Sequence, residues 1–195
     1  MSIFEAAVEI CAFLEENHIP YAVLGGLALQ HWGEPRTTQD VDLVVLLPSK
    51  QEGDFLQAIL QRFRPRIADA QSFARRYRML LIQASNDVPI DRALGIPGYE
   101  EEALRRASKV SFAGIAPIRI LSAEDLIIHK CVAGRPRDVE DVERVLIRQR
   151  VNLDLRYIRS WLRDFAQIID AHDPRAIFEG AVKKARGLLR RTSRT

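Results

Sequence analysis

The chain has 195 residues and is 47% hydrophobic, which is enough for one sizeable core or for a core with an appendage, and rules out a disordered or low-complexity protein. Its two cysteines, Cys11 and Cys131, both sit in apolar helical patterns, so a disulfide framework and a multi-cysteine metal site are excluded. The longest apolar runs, such as residues 41–47, are too short to cross a bilayer, and the start lacks a signal-like core; a cytoplasmic protein with no membrane partner is expected, and a net charge of +3 tilts it mildly toward anionic ligands.

Ser2 followed by Glu5 has capping-box spacing, and Ile3, Ala6, Ala7, Ile10, Cys11 and Leu14 recur at helical intervals, which predicts a first helix to about Asn17. Residues 21–24 read as a short apolar strand, Gly25-Gly26 as a turn, and residues 27–31 as a short helix closed by Gly33. From Arg36 to Leu46 the pattern alternates and then turns solidly apolar, as in a central strand with a polar end. A helix is expected over 49–63, followed by a strand pair at 77–84 and 88–94 around Ser85-Asn86-Asp87. The stretch 64–76 reads as a loop, and its arginines, with Arg62 and Arg78, line a substrate channel or face water.

A loop at 95–98 precedes a charged helix at 99–107, and two short strands at 109–112 and 118–121 flank an Ala/Gly/Pro turn. From there only helices are predicted: 122–132, capped by Ser122 and Asp125; 137–148, after the break at Gly134-Arg135-Pro136; 153–169; and 174–189. The expected fold is α/β (α+β), a small mixed sheet flanked by helices. The expected organisation is a core over 1–121, a helical C-terminal part over 122–190 packed on it, and a basic tail over 191–195.

Two features in the first third carry chemistry. On an extended strand alternate residues point the same way, so Asp40 and Asp42 present both carboxylates to one side. Two adjacent like charges repel, and a cation between them relieves the repulsion; oxygen-only ligands suit Mg²⁺ or Mn²⁺. Taken alone, the pair is more often just the solvated end of a strand. Upstream, Gly25-Gly26 between a strand and a helix lets the backbone approach closely and leaves helix N-terminal N–H groups free, which suits a phosphate chain. His18, His31, His129 and His172 are scattered and have no zinc spacing.

Leu24-Gly25-Gly26 followed by Asp40-Val41-Asp42 resembles the signature of the nucleotidyltransferase superfamily that includes DNA polymerase β. Arg36-x-Thr38-x-Asp40-x-Asp42-Leu43 is similar to the AbiEii-type nucleotidyltransferases, toxins of toxin–antitoxin and phage-defence systems. A second block resembles the later motifs of that group: Leu121-Ser122-x-Glu124-Asp125-Leu126-x-x-x-Lys130, then Arg137-Asp138-x-x-Asp141-Val142.

The resemblance implies a polymerase-β-like core and transfer of an NMP from an NTP to a hydroxyl of an RNA or protein acceptor, with an antitoxin as a further partner. It implies that Asp91 is a third carboxylate, with Asp69 and Asp87 as weaker candidates, and that Asp40, Asp42 and Asp91 hold two divalent ions. By the same resemblance Lys130 reaches a nucleotide phosphate, Arg36 contacts phosphate, Thr38 donates a hydrogen bond near the metals, and Asp138 belongs to the nucleotide site. Asp138 and Asp141, three apart on a helix, are placed to orient Lys130 or Arg137; the plainer reading is that they complement the helix dipole. Two alternatives stay open: a non-catalytic nucleotide- or RNA-binding regulator of the same fold, and an aminoglycoside-type small-molecule nucleotidyltransferase.

Overall fold

The computed structural model describes residues 2–95, 98–112 and 114–192. The expected loop at 95–98 and the turn before residue 118 fall partly on residues outside this set, as do the last three residues of the expected basic tail. The described chain divides into two compact units: residues 1–27 with 37–121, and residues 28–36 with 122–195.

The first unit holds a seven-stranded mixed sheet in the order β3-β4-β5-β2-β1-β7-β6. Its strands are β1 (Tyr21–Val23), β2 (Val41–Val45), β3 (Arg64–Pro65), β4 (Met79–Gln83), β5 (Pro89–Leu94), β6 (Ser108–Val110) and β7 (Ile118–Ile120). β2 is central; it runs antiparallel to β1 and parallel to β5. A parallel neighbour needs a crossover, and the chain between β2 and β5 supplies it with α3 (Glu52–Arg62), β3, α4 (Ala70–Tyr77) and β4.

Helix α1 (Ile3–Glu16) starts on the full capping box, with Ser2 accepting from the Glu5 N–H and Glu5 accepting from the Ser2 N–H, an arrangement worth about 1 kcal/mol. Ala6, Ala7, Ile10, Cys11 and Leu14 form its buried face. α3 buries Phe55, Leu56 and Ile59, and Phe13 of α1 meets Phe55 and Phe63 on the same side. That side of the sheet also takes Arg92, which is fully buried in β5 with its guanidinium 4.4 Å from the Phe55 ring centre. Asp91, the adjacent strand residue, therefore points to the opposite face.

The structure corrects several sequence expectations. The segment 34–40 is not strand; β2 begins at Val41, since β1 ends at Val23 opposite Leu43, and β5 starts level with Asp40 on Pro89, which has no N–H to donate. Gly25 and Gly26 are the first turn of α2 (Gly25–Trp32) rather than a turn before it. The arginine-rich loop contains β3 and α4; Asp69 is the N-cap of α4, accepting from the Ser72 N–H. The apolar face of α4 was hidden because its buried residues are the small Ala70 and Ala74. The remaining helix of this unit, α5 (Tyr99–Arg106), falls where the charged helix was expected.

The second unit is helical: residues 28–32 of α2, then α6 (Ala123–Ala133), α7 (Pro136–Gln149), α8 (Leu155–Phe165) and α9 (Pro174–Thr192). α6 packs against α7, α8 and α9, and Ser122 caps it through the Asp125 N–H. Gly134 ends α6 in the left-handed conformation, which glycine adopts without strain, and Pro136 then opens α7. Among the described residues no helix is long and apolar enough to cross a membrane.

Candidate active site

The acids gather where β2 begins. Asp42 and Asp91 are directly paired residues of the parallel strands β2 and β5, so they share one face of the sheet. Asp40 lies just before β2. Oxygen atoms of Asp40, Asp42 and Asp91 all come within 4.8 Å of one another, and all three side chains are partly exposed. Three carboxylates at this separation repel unless a cation joins them, and an oxygen-only set open to solvent fits a hard divalent ion of the Mg²⁺ or Mn²⁺ type. Asp69 and Asp87 stand apart: Asp69 caps α4, and Asp87 pairs with Arg64.

The local sequence shapes the rim. Gly25 has φ of +62°, and a Cβ there would overlap the carboxylate of Asp42, lying 2.7 Å from its Cγ. A Cβ on Gly26 would overlap Thr38 in the same way, 2.5 Å from its Cβ. Both glycines are therefore required by close approach, and at Gly25 also by backbone conformation. Thr38 in turn donates its hydroxyl to Asp40 Oδ1 at 3.0 Å, fixing that carboxylate ahead of the strand. The main chain locks the same corner, with the Leu24 N–H donating to Asp42 O at 2.9 Å. The first N–H groups of α2 thus emerge beside Asp42, at the positive end of the helix.

Arg66 was not singled out in the sequence beyond its basic cluster. Its Nη1 donates to Asp91 Oδ1, and its main-chain N–H donates to Leu81 O at 3.0 Å. Leu81 is the cross-strand partner of Asp91, so Arg66 is tied to the acid by two routes. The alternation Arg64-x-Arg66 was the available signal for an extended segment carrying these side chains outward, while Arg62 ends α3.

The other expected site residues lie in the helical unit. Lys130 is buried, with Nζ 2.8 Å from Asp138 Oδ1 and 2.7 Å from Asp141 Oδ2. Asp141, fully buried, also accepts both Nε and Nη2 of Arg36, at 3.1 and 3.0 Å. Asp138 further accepts from Arg135 Nε at 2.6 Å. Burial alone would raise the Asp138 carboxyl, but hydrogen bonds from Lys130 and Arg135 hold it below the usual carboxylate range. Asp138 and Asp141 thus meet Lys130 from one side of α7, and the network ends on the guanidinium of Arg36.

The mixed sheet and its flanking helices are a nucleotidyltransferase fold. The chain belongs to the family described as "Nucleotidyltransferase of unknown function (DUF6036)", which it matches over residues 1–176. Two solved structures share the fold. One is ANT(2")-Ia in complex with adenylyl-2"-tobramycin, at 18% identity and a TM-score of 0.50, covering 83% of this chain and 93% of that one. Another is the lincosamide antibiotic adenylyltransferase LnuA with lincomycin bound, at 10% identity and a TM-score of 0.50, covering 72% of this chain and 94% of that one. No curated protein matches the sequence.

Proposed function

We propose that this nucleotidyltransferase moves an NMP from an NTP to a hydroxyl of an RNA or protein acceptor in the cytoplasm. The observation that carries the reading is the convergence of Asp40, Asp42 and Asp91, with oxygen atoms within 4.8 Å of one another, beside the glycine turn of α2. In this reading Asp40, Asp42 and Asp91 would hold Mg²⁺ or Mn²⁺, which when bound offsets triphosphate charge and lowers the pKa of the acceptor hydroxyl.

The chain's own groups do the rest. Main-chain N–H groups at Gly25 and Gly26 cradle the triphosphate, and the missing side chains let Asp42 and Thr38 pack against that turn. Thr38 holds Asp40 in place. Asp91 receives the acceptor proton as the acceptor oxygen bonds to the α-phosphorus and the bond to the departing pyrophosphate breaks. Within the helical unit Lys130 acts through Asp141 to set the Arg36 guanidinium, with Asp138 fixing Lys130, and the family resemblance assigns Arg36 to phosphate. Positioning and electrostatics supply most of the rate.

The AbiEii-type resemblance of Arg36-x-Thr38-x-Asp40-x-Asp42 and of the Lys130 block supports a toxin role with an antitoxin partner. A second reading, transfer to a small-molecule antibiotic, is favoured by the shared fold with two proteins whose names include such substrates. Incubating the protein with each α-labelled NTP in a cell extract, then separating RNA, protein and small molecules, tests both. Label in RNA or protein supports the first reading, and label only in small molecules supports the second. No label in any fraction contradicts both.

A further inference from the structure

We propose that Arg66 selects the acceptor, favouring one with a phosphate beside its attacking hydroxyl and disfavouring polycationic acceptors. The assignment rests on the reading of Asp91 as the group that receives the acceptor proton.

Strand order separates the two ends of the site. The glycine turn follows β1, Asp42 stands on β2, Asp91 on β5, and Arg66 follows β3, beyond β4. Neighbouring strands lie about 4.8 Å apart, so four strand steps put the Arg66 backbone roughly 19 Å from the triphosphate cradle, with the acids between. Arg66 therefore lies on the far side of Asp91 from the NTP phosphates, which is the side left to the acceptor.

Its placement is fixed. The bond from the Arg66 N–H to Leu81 O holds the backbone two strand steps from Asp91, with β4 between them, and Nη1 holds the carboxylate itself. The side chains are 31% and 27% exposed, so the pair is open to an incoming molecule. A hydroxyl that gives its proton to Asp91 comes within hydrogen-bond reach of that carboxylate and hence beside the guanidinium. Arginine carries five N–H donors in a planar fork that matches phosphate, and the bond to Asp91 uses part of that fork.

The surroundings reinforce the sign. Residues 62–78 carry Arg62, Arg64, Arg66, Arg75, Arg76 and Arg78 with one carboxylate, Asp69, and four of the arginines reach acids of other segments: Arg62 pairs with Glu9, Arg64 with Asp87, Arg66 with Asp91 and Arg78 with Glu52. Arg64, the next residue in the outward alternation, is 67% exposed, and its ion pair with Asp87 is a solvated one. At the Arg66 guanidinium itself an ammonium group meets like charge, while a phosphoester meets a matched donor.

Transfer keeps its balance: the acceptor oxygen–phosphorus bond forms, pyrophosphate leaves with the electrons of the broken bond, and the hydroxyl proton passes to Asp91. The test compares wild type, Arg66→Gln and Arg66→Lys with α-labelled NTPs and three acceptors: an oligoribonucleotide with a free 3′ hydroxyl, AMP and tobramycin. Wild type is expected to label a phosphate-bearing acceptor at least tenfold faster than tobramycin, and the first two arms separate a polymer from a small phosphoester. Arg66→Gln should raise the acceptor KM at least tenfold and leave the NTP KM within twofold, with Arg66→Lys intermediate.

Faster labelling of tobramycin, or an NTP KM that rises instead of the acceptor KM, overturns the proposal. Anisotropy of a fluorescent oligoribonucleotide reads the same contact without turnover, and equal binding by wild type and Arg66→Gln also overturns it. Weakened binding by Arg66→Gln with no transfer by wild type would refute the transfer reading while leaving Arg66 as an anion-binding residue.

Discussion

Asp42 of β2 and Asp91 of β5 face each other in parallel register at the centre of the sheet, with Asp40 completing a trio of carboxylates. Their proximity has a direct consequence for cation binding. Mn²⁺ titration by calorimetry should show binding to wild type weakened at least tenfold in Asp42→Asn and in Asp91→Asn, since each removes one ligand charge. Asp69→Asn, which alters only the cap of α4, should bind Mn²⁺ like wild type.

Gly25 combines a φ of +62° with the closest approach to Asp42. In Gly25→Ala the added methyl group must displace that carboxylate or twist the start of α2, and the left-handed conformation alone costs about 1 kcal/mol. Transfer activity should fall at least a hundredfold while the melting temperature drops only a few degrees. A variant with unchanged activity would show that the turn tolerates a side chain.

How far the site was legible in the sequence differs from residue to residue. Asp40, Asp42 and the two glycines fall within one short stretch, so their nearness was legible, although Asp40 precedes β2 and the glycines open α2. Asp91 was reached only through a family resemblance, because the β2–β5 pairing joins residues separated by a whole crossover. The partnership of Arg66 with Asp91 is longer in reach than any local pattern and could not be read. Arg92 left a readable sign: Ile90, Arg92 and Leu94 alternate on the buried side of β5, so period two puts a guanidinium in the core. The fold was legible in its helices with large apolar faces and not in α4, whose face is alanine.

Lys130 joins two buried carboxylates, and removing it leaves both with one fewer partner. Lys130→Met should destabilise the protein by about 3–5 kcal/mol, read by urea denaturation, because a broken buried pair leaves uncompensated charge. Lys130→Met with Asp138→Asn should recover part of that loss. If Lys130→Met leaves stability unchanged and removes only activity, the lysine acts directly on the nucleotide.

His129 is buried in α6, and burial pushes its imidazole down to about 4, with Asp125 opposing the shift. The unfolded chain titrates near 6.5, so between that pH and about 4 it binds a proton that the folded protein refuses. The stability linked to this histidine is full above pH 6.5 and falls by about 1.4 kcal/mol per pH unit as pH drops toward 4. Denaturation of wild type and His129→Leu at pH 7 and pH 5 should show a smaller pH-linked loss in the variant. Equal losses would assign the acid sensitivity to other groups.

The most direct measurement is nucleotidyl transfer itself, followed with α-labelled NTPs and acceptors from a cell extract for wild type and Asp42→Asn, with both proteins shown to be folded. The account predicts label transfer and pyrophosphate release by wild type and a loss of at least a thousandfold in Asp42→Asn. Equal labelling by the two proteins would contradict it.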